Sequence, residues 1–235
     1  MHQMAGDLYV KKATVVFSAS ARMDDSLDVA LRCARIGSSS IAFSGAIFRA
    51  SELLVTCELV YVFANPATQT SQPVPAAFRE MLTAFEAGED MLHLRTGGWA
   101  ELGADASRLR TDVFVEEQRI PAEMEWDEAD ASAIHAVACN RLGQPVATGR
   151  LLQHGPGVAR IGRMAVHKVL RGAGVGNRVL DALLALAAAR GDRAAVLHAQ
   201  RSAEGFYRRL GFAPQGPEFE EAGIAHIEMA RALAG

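Results

Sequence analysis

The sequence predicts an α+β chain in two parts, an antiparallel sheet followed by a mixed α/β fold. Three observations carry this. Apolar residues alternate with period two from Tyr9 to Ala64, where β-branched and aromatic residues are frequent. The stretch from Asn65 to Pro75 holds three prolines and forbids regular structure. From Met91 onward, strand-like and helix-like periods are interleaved.

The first part divides into four strands at 8–20, 26–37, 40–50 and 53–64, whose short connections read as an antiparallel meander. Val15 and Phe17 share one face, as do Leu27, Val29 and Leu31 in the next strand. Pro75 opens a helix to about Ala87, with Phe78, Met81, Leu82 and Phe85 on one side. A boundary near Gly88 gives domains 1–88 and 89–235. In the second domain a helix is predicted over 104–117, with Leu109, Val113 and Phe114 inward. Strands follow at 135–140, 146–154 and 159–166. A long helix over 171–190 carries an apolar stripe from Val175 to Ala187 and stops at Gly191. A buried strand at 194–199, a helix over 202–210 ended by Gly211, and a last strand around 228–230 complete the pattern.

A chain of 235 residues, half of them hydrophobic and 22% charged, is long enough to bury a core in one or two domains. The net charge of −3 argues against nucleic-acid binding driven by overall charge. No apolar run reaches the ~18 residues of a membrane-spanning helix, and Met1 to Asp7 lacks the basic start and apolar core of a secretory signal. Three scattered cysteines (Cys33, Cys57, Cys139) make neither a disulfide framework nor a thiolate metal site, so the expectation is a reducing cytoplasm and no metal.

The modest net charge hides a polarity. From Asp112 to Asp130, eight acids face one base, Arg119; from Ala131 to Leu180 there are seven bases and no acid. Either two faces of opposite sign pair with each other, or the protein meets an anion on one side and a cation on the other.

The segment Ile161 to Asn177 reads strand, short loop, glycine-rich turn, helix, with glycines at 172, 174 and 176. Glycine lets backbone N–H groups turn inward, and a helix start favours an anion through its unpaired amides and dipole. A Walker ending of Gly-Lys-Ser/Thr is absent. Asp192 follows the helix stop rather than a second strand, which speaks against a dinucleotide fold.

Arg171-Gly172-Ala173-Gly174-Val175-Gly176, after Arg163-Met164-Ala165-Val166, resembles the acetyl-CoA loop of the GNAT N-acetyltransferase superfamily. Leu109 to Gln118 looks like the first helix of its ElaA-like branch and Val146 to Leu151 like its central strand. Ala199-Gln200 with Ala203, Phe206-Tyr207 and Gly211-Phe212 looks like its last helix region, so the resemblance covers about 90–235. It implies a splayed sheet and acetyl-CoA as co-substrate. The pantetheine arm would pair with the backbone of Met164, Ala165 and Val166. The pyrophosphate would sit on Arg171, Gly172, Ala173, Gly174, Val175, Gly176 and Asn177.

Amide formation from a thioester needs a neutral amine and benefits from a proton on the departing thiolate. The resemblance puts Tyr207 in the place of the general acid. Glu117, Glu125 and Asp127 lie where the acceptor amine should approach, as orienting carboxylates or base. His135 and His198 fall in predicted strands, where a lone histidine is usually inert; a water chain is the other route for the amine proton.

The N-terminal part has a second resemblance. Ala21 to Val29, with Phe63-Ala64-Asn65-Pro66 and Pro73-Val74-Pro75, is similar to hotdog-fold acyl-CoA thioesterases of the 4-hydroxybenzoyl-CoA thioesterase type, over about 5–85. The acidic motif and long helix that open that fold are not present before Tyr9, so the module is an incomplete hotdog-like sheet with one apolar face to be covered. The reading is therefore a cytoplasmic acetyl-CoA-dependent N-acetyltransferase acting by direct attack of a small-molecule or peptide amine, with no nucleic-acid or membrane partner. The N-terminal module would drive a homo-oligomer, most simply a dimer. The alternatives are a hotdog-based acyl-CoA thioesterase and a non-catalytic acyl-CoA-binding module.

Overall fold

The computed structural model describes residues 6–233; the reading of Met1 to Ala5 as no secretory signal lies outside them. The chain forms two compact units, Met1–Met91 and Leu92–Gly235.

In the first unit β1 (Asp7–Phe17), β2 (Asp28–Ile36), β3 (Ser40–Arg49) and β4 (Glu52–Ala64) make one antiparallel sheet in the order β1-β4-β3-β2. Only β2 to β4 form the expected meander. β1 pairs with β4 instead of β2, because the connection 18–27 is too long for a tight hairpin and crosses to the far edge. The register separates two faces. Leu8, Phe63, Ile41 and Phe43 lie on the face that α1 (Ala76–Glu86) covers with Phe78, Met81 and Leu82. Arg79 donates to the carbonyls of Ile36 and Gly37, and Glu86 accepts the Cys33 amide, which ties α1 to the β2 end. Phe85, expected on the inward side, is exposed. Further along the same face Val15, Phe17, Val29 and Leu31 are open to solvent, with Phe17 78% and Val29 75% exposed.

The second unit is a seven-stranded sheet in the order β10-β11-β9-β8-β7-β6-β5: β5 (Leu92–Gly97), β6 (Ile134–Asn140), β7 (Pro145–Gly155), β8 (Val158–Val166), β9 (Ala194–Gln200), β10 (Ala213–Glu221) and β11 (Ile224–Ala232). All its pairings are antiparallel except β8 with β9. α4 (Val175–Arg190) lays Val179, Leu180, Leu183 and Ala187 on the core with Ala147, Leu151, Ile161 and Leu197. Gly149 leaves the room this needs: a Cβ there would stand 2.5 Å from the Met164 sulfur and 2.8 Å from Leu183.

Several elements differ from expectation. The helix predicted over 104–117 begins earlier as α2 (Trp99–Arg110) and continues as a π-helical stretch, Thr111–Glu117, before a single turn, α3 (Ala122–Glu125). α4 starts at Val175 rather than 171, because Gly172 and Gly174 stand at φ 82° and 76°, outside the helical region. The helix over 202–210 shortens to a 3-10 turn and α5 (Glu204–Arg209). The charged, short-period strands β5 and β10 were not anticipated.

Candidate active site

The site is made by a sheet that opens. β8 and β9 pair only from Val158 opposite Ala194 to Ile161 opposite Leu197. Beyond that β8 stays with β7 up to Val166, and β9 stays with β11 up to Gln200. The His167 amide donates to the Val146 carbonyl on the β7 side, so alternation turns the peptide groups of Met164 and Val166 toward the gap. The Val166 carbonyl there accepts from Arg171 Nε at 3.0 Å.

A cavity of about 620 Å³ occupies the upper part of the gap. Of the positions predicted for the co-substrate, Met164, Ala165, Val166, Arg171, Gly172, Gly174, Val175, Gly176 and Asn177 line it; Ala173 does not. Nothing lies within 4 Å of where a Cβ would stand on Gly172 or Gly174, so open space faces the turn. The first amides of α4 have no carbonyl of their own helix to bond. A wide cavity, inward-turned backbone and a basic, glycine-rich helix start together fit an extended, phosphate-bearing ligand.

A second cavity, about 190 Å³, lies lower, between the π-helical stretch and the outer part of the opened sheet. The two cavities share Gln118, Met164, Gln200, Ala203 and Tyr207, so they meet at these side chains. Gln200 Nε2 donates to Gln118 Oε1 at 2.9 Å across the junction. Tyr207 is 7% exposed and is held by T-shaped contacts with Phe206 and Phe212. Burial pushes its phenol well above the usual value, which keeps the proton on at neutral pH.

The acidic and basic segments meet here, and largely in each other. Arg110, 1% exposed, donates to Glu125 and to Asp130. Arg150 donates to Asp127 and Asp130, and Arg163 to Asp127. Three guanidiniums and three carboxylates thus form one neutral, mostly buried network. Burial opposes ionisation of Asp127 and Asp130, but the arginines prevail and hold both carboxyls below their ordinary range. Burial pushes the Glu125 carboxyl up, against the pull of Arg110. The pairing of the two charged faces is therefore what the structure shows, and the acid-lined approach for a cationic acceptor is not.

The carboxylates proposed for the amine side part company. Glu125 does line the second cavity, yet its carboxylate is held by Arg110. Glu117 lines neither cavity: it bonds both terminal nitrogens of Arg171 at 2.6 and 2.7 Å, at the lip of the glycine turn, and this pairing lowers its pKa. The histidines separate too. His135 is buried, meets the Asp130 carbonyl, and is pushed down by burial, as an inert strand histidine should be. His198 instead lines the second cavity, with Arg160 and Glu221 near its Nδ1 and Glu228 near Nε2. Among the described residues, no group of three or more His, Cys, Asp or Glu side chains is placed to hold a metal ion.

Residues 102–233 match the acetyltransferase (GNAT) domain model, more than half of the chain. The chain belongs to the GNAT family. YjcF of Bacillus subtilis, described as an uncharacterized N-acetyltransferase, is 38% identical over 126 residues, 53% of this chain and 89% of that protein. The crystal structure of Escherichia coli ElaA is 30% identical, with a TM-score of 0.55 over 60% of this chain and 99% of its own. An acyl-CoA N-acyltransferase from Pseudomonas aeruginosa is 33% identical, with a TM-score of 0.54 over 60% and 99%. GNAT membership carries the coarse assignment, acyl transfer with an acyl-CoA co-substrate, and bears out the ElaA-like resemblance of the C-terminal part. The match leaves residues 1–101 outside the domain model.

Proposed function

We propose that the protein transfers an acetyl group from acetyl-CoA to an amine by direct attack in a ternary complex. The observation that carries this is the meeting of two cavities at one set of side chains, Tyr207 among them. The glycine turn and α4 start hold the pyrophosphate, and the free edge of β8 at Met164 and Val166 pairs with the pantetheine amides. The acceptor enters through the smaller cavity and attacks at the junction. Tyr207, a phenol that is protonated at neutral pH, gives its proton to the departing thiolate. Glu125 serves as an orienting carboxylate of the acceptor cavity, and Glu117 acts on the co-substrate side by holding Arg171. The test is release of CoA thiol with and without amines. Amine-dependent release supports transfer; amine-independent release supports the thioesterase reading, and CoA affinity with no release under either condition supports the binding-module reading.

The N-terminal unit is read as a separate hotdog-like domain, divided from the acetyltransferase domain at 88/89, that pairs two chains in the cytoplasm. Its support is the four-stranded antiparallel sheet with an apolar face that α1 covers at one end only. A two-fold dimer is the commonest closed arrangement.

A further inference from the structure

The smaller cavity has a chemistry of its own. Three guanidiniums line it, those of Arg150, Arg160 and Arg163, against two carboxylates, Glu125 and Glu221. Two of the three carry an unused donor: the Nε–H groups of Arg150 and Arg163 are buried and lack a hydrogen-bond acceptor. The Arg150 side chain is only 8% exposed, so bulk water does not solvate that donor freely. Arg163 Nε lies 3.5 Å from Glu125 Oε1, an ion-pair distance without hydrogen-bond geometry. A buried donor without an acceptor is costly, so native proteins rarely leave one unless a ligand or water completes it. Both terminal nitrogens of Arg150 and Nη2 of Arg163 are already spent on Asp127 and Asp130.

The backbone explains why two such donors stand beside the junction. Along β8, Thr148 faces Ala165 while Arg150 faces Gly162, so β8 holds one extra residue at this point. Arg163 takes it up at φ 52°, and the bulge brings Arg163 and its neighbour Met164 to the same cavity, which a regular strand could not do. Met164 is one of the residues at the junction. Arg163 is therefore the chain neighbour of a junction residue, and Arg150 lines the same cavity.

We propose that the acceptor is a small amine bearing a carboxylate next to it, a free α-amino acid. The carboxylate accepts from Nε–H of Arg150 and Arg163, and the amine then lies at the Gln118–Tyr207 junction. This rests on the transfer reading above and names its substrate class. A polyamine or a lysine-rich segment is disfavoured at the same place, because it brings no acceptor for these donors.

The test compares each of several free α-amino acids with its decarboxylated amine and its α-amide, and adds a short peptide with a free N-terminus and spermidine. Calorimetric binding is measured in the presence of CoA, and turnover by CoA release. The expected result is that amino acids bind roughly tenfold or more tightly than the decarboxylated amines, the range for losing a charge-assisted hydrogen bond. Arg163→Lys keeps the charge opposite Asp127 and removes one of the two Nε–H donors, so the preference ratio should fall severalfold. The wild-type panel stands alone if that variant does not fold. Equal binding of acid and amine forms, or a preference for spermidine, overturns the proposal, as does an unchanged ratio in a folded Arg163→Lys protein. The peptide carries an amide beside its N-terminal amine, as the α-amide does, so a peptide that binds as tightly as the free amino acid also overturns the proposal. Amino-acid binding without CoA release would sink the transfer reading and leave the carboxylate site standing.

Discussion

Arg110→Met removes the centre of the buried charge network while keeping a long apolar side chain in its place. Arg110 is 1% exposed, and its partners Glu125 and Asp130 have side chains 4% and 5% exposed. Removing one member of a buried ion pair costs about 3–5 kcal/mol, because the other charge remains buried without a partner. Asp130 retains Arg150 at 2.8 Å, so the loss falls mainly on Glu125 and belongs near the lower end, about 3 kcal/mol. At about 2–4 °C per kcal/mol for a chain of this size, Tm should fall by about 6–12 °C. The pH dependence gives a second handle. In the wild type the depressed carboxyls of Asp127 and Asp130 contribute stability that is complete above their unfolded values and is lost as pH falls through their folded ones. Glu125 is the opposite case. Its carboxyl is already raised, and without Arg110 it rises further, so the variant recovers stability as Glu125 takes up a proton on acidification. Scanning calorimetry at pH 7 and pH 5 should show the gap between the two proteins narrowing at the lower pH. A Tm difference below about 2 °C at pH 7, or one that does not narrow, refutes the network's assigned role.

Four further outcomes are expected. Tyr207→Phe keeps the ring contacts with Phe206 and Phe212 and should lower kcat by about 10²–10⁴-fold with little change in CoA affinity by calorimetry; a loss under about threefold removes the acid role. Gly174→Glu puts a carboxylate and a strained left-handed side chain at the α4 N-cap, and CoA affinity should collapse while circular dichroism still shows a folded protein. Glu117→Gln releases Arg171 and should tighten CoA binding severalfold at low salt, an effect that shrinks at high ionic strength. Phe17→Lys with Val29→Lys places two charges on the open face of the N-terminal sheet and should convert a dimer to monomer in light scattering; a wild type already monomeric at micromolar concentration sinks the pairing proposal.

Some of this was legible because a single local period carried it. The stripe of α4, the alternation of β1 to β4 and the Gly191 stop are each written in neighbouring residues. The order β1-β4-β3-β2 was not, because strand pairing depends on a long connection with no sequence code for its path. The π-helical stretch was hidden for a related reason. One extra residue per turn leaves Leu109, Val113 and Phe114 inward as an α-helix would, so the apolar pattern alone does not separate the two. β10, with three glutamates in nine residues, carries little apolar signal because it is an edge strand with one neighbour.

The site was half legible, and the division follows the chemistry. Glycines at 172 and 174 announce a backbone conformation, and the backbone is what a phosphate needs; that part reads from sequence. The acceptor side is built from arginines and carboxylates far apart in the chain, and a charge tally gives sign without partner. Eight acids over 112–130 invited a cationic acceptor, yet Glu117, Glu125, Asp127 and Asp130 are all taken by arginines of this same domain. What decides the cavity's character is the remainder after pairing. The carboxylates are neutralised by their arginine partners, whereas a guanidinium has five N–H donors and can serve two partners with one still over. Arg150 and Arg163 are in that state. The acidic stretch therefore does not make the cavity anionic: its carboxylates are paired with arginines, and two of those arginines keep a donor without an acceptor.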